Sequence, residues 1–269
     1  MSAGAGTGAD GGEVVEGPPL LTLDDASCAT LTLNRPRHLN RLHREDLLAL
    51  QAHLAQLAQN TTLRVVVLAA QGRAFCAGYN LDELEAPGAA GQDPQLFEHT
   101  VDALEALPVP TIARLQGGVY GGATDLALAC DFRVGVQGME LRMPAARLGL
   151  HYYPGGLRRY VSRLGLQAAK RLFLLAEAIP ADELLRIGYL DALAPAAELD
   201  RVMQRFTQAL QAGAPLALRG MKLSLNDIAR GEFDVKRLRL REARCAVSDD
   251  LREGLAAFAA RRSPQFKGR

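Results

Sequence analysis

The sequence predicts an α/β fold in which a core of alternating strands and helices is followed by a helical C-terminal part. Three patterns carry this prediction. Short β-branched or leucine-rich runs alternate with segments whose leucines recur at helical spacing, and strand patterns nearly vanish after Gly156. Because strands that alternate with helices need crossover connections, we expect a largely parallel sheet with right-handed β-α-β units.

The first part of the chain supplies most of the predicted strands. Residues 20–23 and 30–33 predict a hairpin around a short polar turn. Residues 42–58 have leucines at helical spacing, and the β-branched run 63–68 suits a buried strand. The following predicted elements are a helix over 94–107, a strand over 111–115, a helix that ends at Cys130, and strands over 132–136 and 140–143.

The remainder of the chain predicts helices, over 157–164, 167–176, 181–187, 196–212, 215–230 and, with breaks, 233–261. Residues 1–17 are glycine, alanine and acidic residues with little to bury, which predicts a disordered leader. We therefore divide the chain into this leader, a core over 18–195 and a C-terminal helical region over 196–269.

Composition excludes several classes of protein. The 31 basic and 30 acidic side chains give a net charge of +1, which argues against a general nucleic-acid binder. The apolar runs are far shorter than a membrane span. The four cysteines include no C-x-x-C pair, so neither a zinc site nor a disulfide framework is expected. These features predict a soluble, cytoplasmic-type protein with no membrane, nucleic-acid or metal partner.

Two glycine-bearing loops, 72–80 and 117–125, each follow a predicted strand. The second opens a helix, where unpaired backbone N–H groups can hold negative charge that develops on an oxygen. Asp125 stands three residues after Gly122, so its carboxylate can face the same space. In the alternative interpretation, the glycines only allow tight packing and Asp125 is a partner of the helix dipole.

Five motifs stand in a fixed order: LNRP (33–36) with LN (39–40), RAFCAG (73–78), GGVYGG (117–122), RLGL (147–150) with PGG (154–156), and GLAAF (254–258) with RRSPQF (261–266). In this order they resemble the crotonase (enoyl-CoA hydratase/isomerase) superfamily from about Leu21 to the C-terminus. The resemblance implies a core of stacked β-β-α units, a C-terminal helical trimerisation region, and assembly as a homotrimer or a dimer of trimers. It also implies an acyl-CoA thioester substrate and no further cofactor.

The resemblance also implies roles for individual residues. The N–H groups of Tyr79 and Gly122 would form an oxyanion hole that stabilises a thioester enolate. CoA contacts would come from the loop that contains Ala74, Phe75, Ala77 and Gly78, from Arg37, and, in a neighbouring subunit, from Phe266 and Lys267. An ordinary solvated surface role is the alternative for Arg37, Phe266 and Lys267.

The sequence departs from the hydratases of this superfamily at their two catalytic glutamates. The first position is Asp125, whose side chain is one methylene shorter, and the second is Ala145, which cannot transfer a proton. Hydration uses one carboxyl group to activate water and a second to manage the proton at Cα. Ordinary two-carboxylate hydration, and the usual isomerisation that relies on the second position, are therefore not expected here.

Three further side chains are secondary catalytic candidates: His151, Tyr152 and Tyr153. The segment 148–153 resembles that of methylmalonyl-CoA decarboxylases, whose tyrosine matches Tyr152, although those enzymes carry a histidine where this chain has Tyr79. A decarboxylase or a β-keto acyl-CoA hydrolase is thus the alternative to a hydratase. In the other interpretation the tyrosines only line a pocket, and the chain is a non-catalytic acyl-CoA-binding homologue.

Overall fold

The structure is a computed structural model that describes residues 15–24, 27–83 and 93–269. Most of the predicted leader and residues 84–92, which belong to the loop expected to shape the acyl pocket, lie outside the described residues. The strands are β1 Leu20–Leu23, β2 Cys28–Leu33, β3 Val65–Ala70, β4 Thr111–Leu115, β5 Val119–Tyr120, β6 Phe132–Val136, β7 Glu140–Arg142, β8 Ala178–Pro180 and β9 Ala192–Ala194.

The main sheet has the order β1-β2-β3-β4-β6-β9. Strands β1 and β2 form the predicted antiparallel hairpin, and the remaining neighbours pair in parallel. A second, three-stranded sheet has the order β5-β7-β8, so β7 does not join the main sheet. The central strands β3 and β4 are almost entirely buried, as expected for a sheet covered on both faces.

Ten α-helices occur in the described ranges. Their bounds are α1 Arg44–Gln59, α2 Leu96–Ala106, α3 Ala123–Ala129, α4 Pro154–Leu164, α5 Leu166–Lys170, α6 Ala181–Arg186, α7 Leu199–Gln211, α8 Pro215–Ala229, α9 Val235–Ala246 and α10 Asp249–Ala259. The predicted helix over 167–176 is α5 followed by a π-helical turn over Arg171–Leu175.

Strands β8 and β9 correct the expectation that the second half of the chain is only helical. Each has three residues, too few for an alternating pattern to stand out in the sequence. Strand β9 completes the main sheet beside β6, and β8 pairs with β7. Beyond β9 the described secondary structure is helical. The division between core and C-terminal region at residues 195 and 196 stays a prediction.

The helix α8 packs against the core of its own chain. The Lys222 ammonium donates to the Val109 carbonyl over 2.8 Å and pairs with Asp131 over the same distance. In contrast, α9, α10 and the two-residue connection between them expose large apolar side chains, with Leu240 at 72%, Val247 at 75% and Phe258 at 86% exposure. An apolar surface of this kind marks a site of contact with another molecule.

Candidate functional site

A cavity of about 510 Å³ lies between the loop after β3, the turn from β5 into α3, and the segment over 143–153. We call it the central cavity. The predicted site residues in its wall are Ala77, Gly78, Tyr79, Gly122, His151, Tyr152 and Tyr153. Most of its other lining side chains are apolar, which suits a cavity that binds a largely apolar group.

The backbone N–H groups of Tyr79 and Gly122 are available to a ligand. Leu42 donates to the Gly78 carbonyl and accepts from the Asn80 N–H, both over 2.8 Å. Because alternate peptide groups of an extended strand point in opposite directions, the N–H of Tyr79 points away from Leu42. Neither this N–H nor that of Gly122, at the start of α3, donates to an acceptor in the described part of the chain.

Gly78 allows the two loops to approach closely. Its φ of +95° lies in the left-handed region. A Cβ at this position would lie 2.8 Å from the Tyr120 carbonyl oxygen and 3.2 Å from the Gly122 nitrogen. Any other residue would therefore push apart the loops that carry the two available N–H groups.

Asp125 does not reach the central cavity. It is fully buried in α3, and its Oδ2 accepts hydrogen bonds from the Tyr153 hydroxyl and, over 2.7 Å, from the Arg159 guanidinium. The Tyr153 side chain therefore stands between this carboxylate and the cavity. The expectation that the Asp125 carboxylate faces the same space as the glycine loops is not met in this geometry.

The electrostatics of this cluster follow from its burial. Burial raises the pKa of Asp125, and the Arg159 guanidinium and the Tyr153 hydroxyl oppose that rise. Burial and the neighbouring Asp125 carboxylate raise the pKa of Tyr153 far above its usual range. The Tyr153 phenol is therefore protonated at neutral pH, and it can donate a proton or a hydrogen bond but cannot act as a base.

Arg159 belongs to a buried network of charges beneath the cavity. Its guanidinium donates to Asp102 over 2.6 Å and to Glu105 over 3.1 Å, in addition to Asp125. Burial acts to raise the pKa of Glu105, but the guanidinium groups of Arg159 and its neighbours outweigh it and lower that pKa to about 2. The sequence does not predict this network, since a contact between α2, α3 and α4 cannot be deduced from spacing along the chain.

The remaining candidates of the 145–153 segment all face or border the cavity. Ala145, the position for which the resemblance implies a second acid in hydratases, lines it with a methyl group. Tyr152 is buried and its ring stacks on that of Tyr153, with centroids 4.4 Å apart. His151 lines the cavity, while its Nδ1 lies 2.8 Å from the Tyr152 carbonyl oxygen.

Two cavity-lining carboxylates, Glu83 and Asp93, are not among the residues predicted from the sequence. Glu83 accepts from the backbone N–H of Arg44 over 2.8 Å, contacts His43 Nδ1 over 2.8 Å and accepts from the Tyr79 hydroxyl over 3.3 Å. Burial acts to raise the pKa of Glu83, but these hydrogen bonds have the larger, opposite effect, and the pKa lies below its usual range. An acid four residues after Tyr79 has no local pattern that distinguishes it from an acid on an exposed helix, so the sequence contains no signal for Glu83.

The residues predicted to bind CoA fall into two groups. Ala77 and Gly78 line the cavity, whereas the side chains of Ala74 and Phe75 are buried in the core, so only their backbone is available to a ligand. Phe75 donates its N–H to Gly118 over 3.0 Å.

The other three predicted CoA contacts lie away from the cavity wall. Arg37 is exposed near the N-terminal end of α1, and its backbone N–H bonds to Glu16 over 2.5 Å. Phe266 and Lys267 follow α10, where the Phe266 carbonyl accepts from Arg64 and the Lys267 N–H bonds to Asp250. Their contact with a neighbouring subunit's nucleotide stays a prediction.

The described residues lack the features of two other classes of protein, those that span a membrane and those that hold a clustered metal site. No helix among them is long and apolar enough to cross a membrane. Across 15–24, 27–83 and 93–269, no three or more histidine, cysteine, aspartate or glutamate side chains are grouped as a metal site would require. The four cysteines are free thiols.

Comparison with known proteins covers almost the whole chain. A family model described as enoyl-CoA hydratase/isomerase matches residues 24–269. The enoyl-CoA isomerase/hydratase fer4 of Mycosarcoma maydis is 33% identical in an alignment of 259 residues that covers 89% of this chain and 92% of that protein. The human mitochondrial enoyl-CoA hydratase domain-containing protein 2 is 31% identical over 98% of this chain and 94% of its own length.

A solved structure of an enoyl-CoA hydratase from Mycobacterium smegmatis has a TM-score of 0.84 at 27% identity. The match covers 93% of this chain and 99% of that structure. The crotonase fold predicted from the motif order is thus confirmed, together with its helical C-terminal region. The chain belongs to the enoyl-CoA hydratase/isomerase family of enzymes, whose substrates are acyl-CoA thioesters.

Proposed function

We propose that this enzyme binds its substrate with the thioester carbonyl oxygen between the N–H groups of Tyr79 and Gly122, and stabilises an enolate there. The availability of both N–H groups supports this role, as does the close approach of the two loops at Gly78. A donor placed on developing negative charge typically contributes about 3 to 4 kcal/mol to transition-state stabilisation. Coenzyme A then enters as part of the substrate, and no separate cofactor is needed.

Decarboxylation of a malonyl-type acyl-CoA is the reaction that the site supports best. Neither of the positions that hold the two hydratase glutamates presents a carboxylate to the cavity, because Asp125 is buried behind Tyr153 and Ala145 has none. Decarboxylation needs no base. Beside the Ala145 methyl group, the carboxylate of a substrate would meet no negatively charged side chain from this position. It would also be poorly solvated there, which favours loss of CO₂.

The reaction balances with groups that the cavity offers. The bond between Cα and the substrate carboxylate breaks, its electron pair forms the enolate, and CO₂ leaves. Tyr79 and Gly122 hold the enolate oxygen. Cα then takes a proton, for which Tyr153 is the proposed donor, and solvent restores that proton. The place of Tyr153 in the cavity wall, with its hydroxyl group held by Asp125, is the observation that carries this assignment.

The test is turnover of malonyl-CoA and methylmalonyl-CoA, followed by CO₂ release and by chromatography of the thioesters. We expect these substrates to exceed crotonyl-CoA hydration and acetoacetyl-CoA hydrolysis, and Tyr153→Phe to lower kcat by about 10²- to 10⁴-fold. Faster release of free CoA from the β-keto thioester would establish the hydrolase instead. Binding of the whole panel without turnover would establish a non-catalytic acyl-CoA-binding homologue.

Glu83 favours a second candidate, which is proton transfer at Cα as in hydration or isomerisation. Its lowered pKa keeps it ionised in the cavity wall, as a base requires. Its hydrogen bonds to His43, to the Arg44 N–H and to Tyr79 instead suit a fixed structural group. Robust crotonyl-CoA hydration that disappears in Glu83→Gln would select this second function.

Assembly and location complete the proposal. The exposed apolar side chains of α9 and α10 support a homotrimer, or a dimer of trimers, in which these helices are covered. Sedimentation of the purified protein tests this, and a monomer would contradict it. We also propose a cytoplasmic location, without membrane or nucleic-acid partners; fractionation of cells tests it, since the human relative is named as mitochondrial.

A further inference from the structure

Four aromatic rings follow one another, each in contact with the next, in the wall of the central cavity. The centroids of Tyr79 and Phe97 are 5.9 Å apart, those of Phe97 and Tyr153 are 5.9 Å apart, and those of Tyr153 and Tyr152 are 4.4 Å apart. We call these four residues the aromatic row. All of them line the cavity, in a chain whose aromatic content is only 5% and which has no tryptophan.

The hydroxyl groups of the row are directed to acceptors. Tyr79 donates to Glu83, Tyr153 donates to Asp125, and Tyr152 donates to the Tyr153 oxygen over 3.5 Å. A substrate group beside the row therefore need not supply a polar partner for a buried hydroxyl. Apart from the proton that Tyr153 is proposed to transfer to Cα, what the row offers to the cavity is ring surface.

The row begins at the oxyanion hole. Tyr79 supplies one of its N–H groups through the backbone, and a Cβ at Gly122 would lie 2.6 Å from the Phe97 ring. A substrate group attached close to the thioester carbonyl is therefore next to the rings. Other parts of the lining are aliphatic or thioether side chains, with Met143, Leu148 and Leu150.

We infer that the acyl group of the natural substrate carries a planar aromatic ring within a few bonds of the thioester, and that the aromatic row binds this ring. The inference rests on the proposed CoA-thioester function and adds the class of the acyl group. Aromatic rings attract one another in offset and edge-to-face arrangements, beyond the effect of buried area alone. The row already contains both geometries, with Tyr152 and Tyr153 stacked and Phe97 edge-on to Tyr153.

A saturated ring of the same size separates this inference from simple hydrophobic burial. Cyclohexylacetyl-CoA has the same carbon count as phenylacetyl-CoA and is the more apolar of the two, so burial alone favours it. If the aromatic row recognises the acyl group, phenylacetyl-CoA binds about 10-fold more tightly in isothermal titration calorimetry. Equal or tighter binding of cyclohexylacetyl-CoA would overturn the inference.

The same titrations keep this inference apart from the proposed function. Acetyl-CoA reports binding of the CoA part, and failure of all three thioesters to bind would defeat both proposals. Binding of all three with equal acyl contributions would defeat only the aromatic inference. A preference for phenylacetyl-CoA without turnover of any malonyl-type thioester would sustain the inference and remove the decarboxylase.

Substitution of Phe97 identifies the surface responsible. Phe97→Leu keeps an apolar side chain but removes a central ring, so the preference for phenylacetyl-CoA should fall to less than about 3-fold while cyclohexylacetyl-CoA binding is retained. Phe206→Leu is the matched control, because Phe206 lies on α7 against Phe132, outside the cavity wall. If Phe97→Leu does not fold, Tyr79→Leu removes a ring and keeps the backbone N–H. If a folded Phe97→Leu or Tyr79→Leu variant keeps the full preference for phenylacetyl-CoA over cyclohexylacetyl-CoA, the aromatic row does not bind the acyl ring.

Discussion

Asp125→Asn tests whether the buried carboxylate touches the substrate or acts through Tyr153. In the wild-type protein one oxygen, Oδ2, accepts from both Tyr153 and Arg159, whereas Oδ1 has no hydrogen-bond partner within the described part of the chain. An asparagine that places its carbonyl oxygen at the Oδ2 position keeps both bonds. The NH₂ group of the asparagine then occupies the position of Oδ1, which is buried and has no hydrogen-bond partner among the described residues.

The expected cost follows from these contacts. The variant exchanges a charge-assisted hydrogen bond with Arg159 for a weaker neutral one and buries an amide donor, while it also removes a buried charge. Arg159 retains Asp102 and Glu105 as partners. We therefore expect the free energy of unfolding to fall by about 2 kcal/mol. Because the Tyr153 hydroxyl keeps its acceptor, kcat should fall by about 10-fold or less, against at least about 100-fold for Tyr153→Phe.

The assay compares kcat for the best malonyl-type thioester in both variants, with urea unfolding to measure stability. If Asp125→Asn lowers kcat as much as Tyr153→Phe while it remains folded, Asp125 is itself the proton-transferring acid and our interpretation of the geometry is wrong. A wild-type rate in Tyr153→Phe would contradict the proposed donor. The double variant should lose no more activity than Tyr153→Phe alone, because both changes act on one group.

Three further changes examine the oxyanion hole, the cavity carboxylate and the charge network. Gly78→Ala should lower kcat by at least about 100-fold, because the added Cβ meets the Tyr120 carbonyl and displaces an N–H donor. Gly149→Ala is the control, since Gly149 also has a positive φ but faces open space. Equal activity of the two variants would refute the proposed oxyanion hole. Glu83→Gln should retain decarboxylation within about 10-fold, whereas a loss of 100-fold or more in kcat would make Glu83 a catalytic base. Because the pKa of Glu105 is lowered to about 2, its ionised form adds at most about 3 kcal/mol to the free energy of unfolding above pH 4.5, and this contribution is lost as the pH falls toward 2. In Glu105→Gln this part of the pH dependence, measured by urea unfolding, should be missing. An unchanged dependence of the unfolding free energy on pH would contradict the prediction.

The sequence predicted the elements that have long periodic patterns. Strands β4 and β6 begin and end at the predicted residues, and α1 and α8 lie within two residues of their predicted ends. Strands β5, β8 and β9 were not found, because two or three residues are too few for a period, and their conformation depends on pairing with distant strands. Motif order indicated the fold beyond what periodicity could.

The site divides in the same way. Tyr79, Gly122, Ala145, Tyr152 and Tyr153 were found from their places in motifs, and all of them line the central cavity. Glu83 was missed, although it lines the same wall, because nothing in its local pattern distinguishes it from an acid on an exposed helix. Its position depends on contacts with the start of α1, forty residues earlier.

By itself, then, the sequence determined the fold and which chemical groups the site can contain, above all that residue 145 has no acid. Only the tertiary structure decided where those groups point. Asp125 stands about one helical turn from Gly122, as spacing requires, yet Arg159 and Tyr153 hold its carboxylate away from the cavity. The direction of a buried charge is set by the partners that compensate its desolvation, and these come from helices that spacing along the chain cannot bring together.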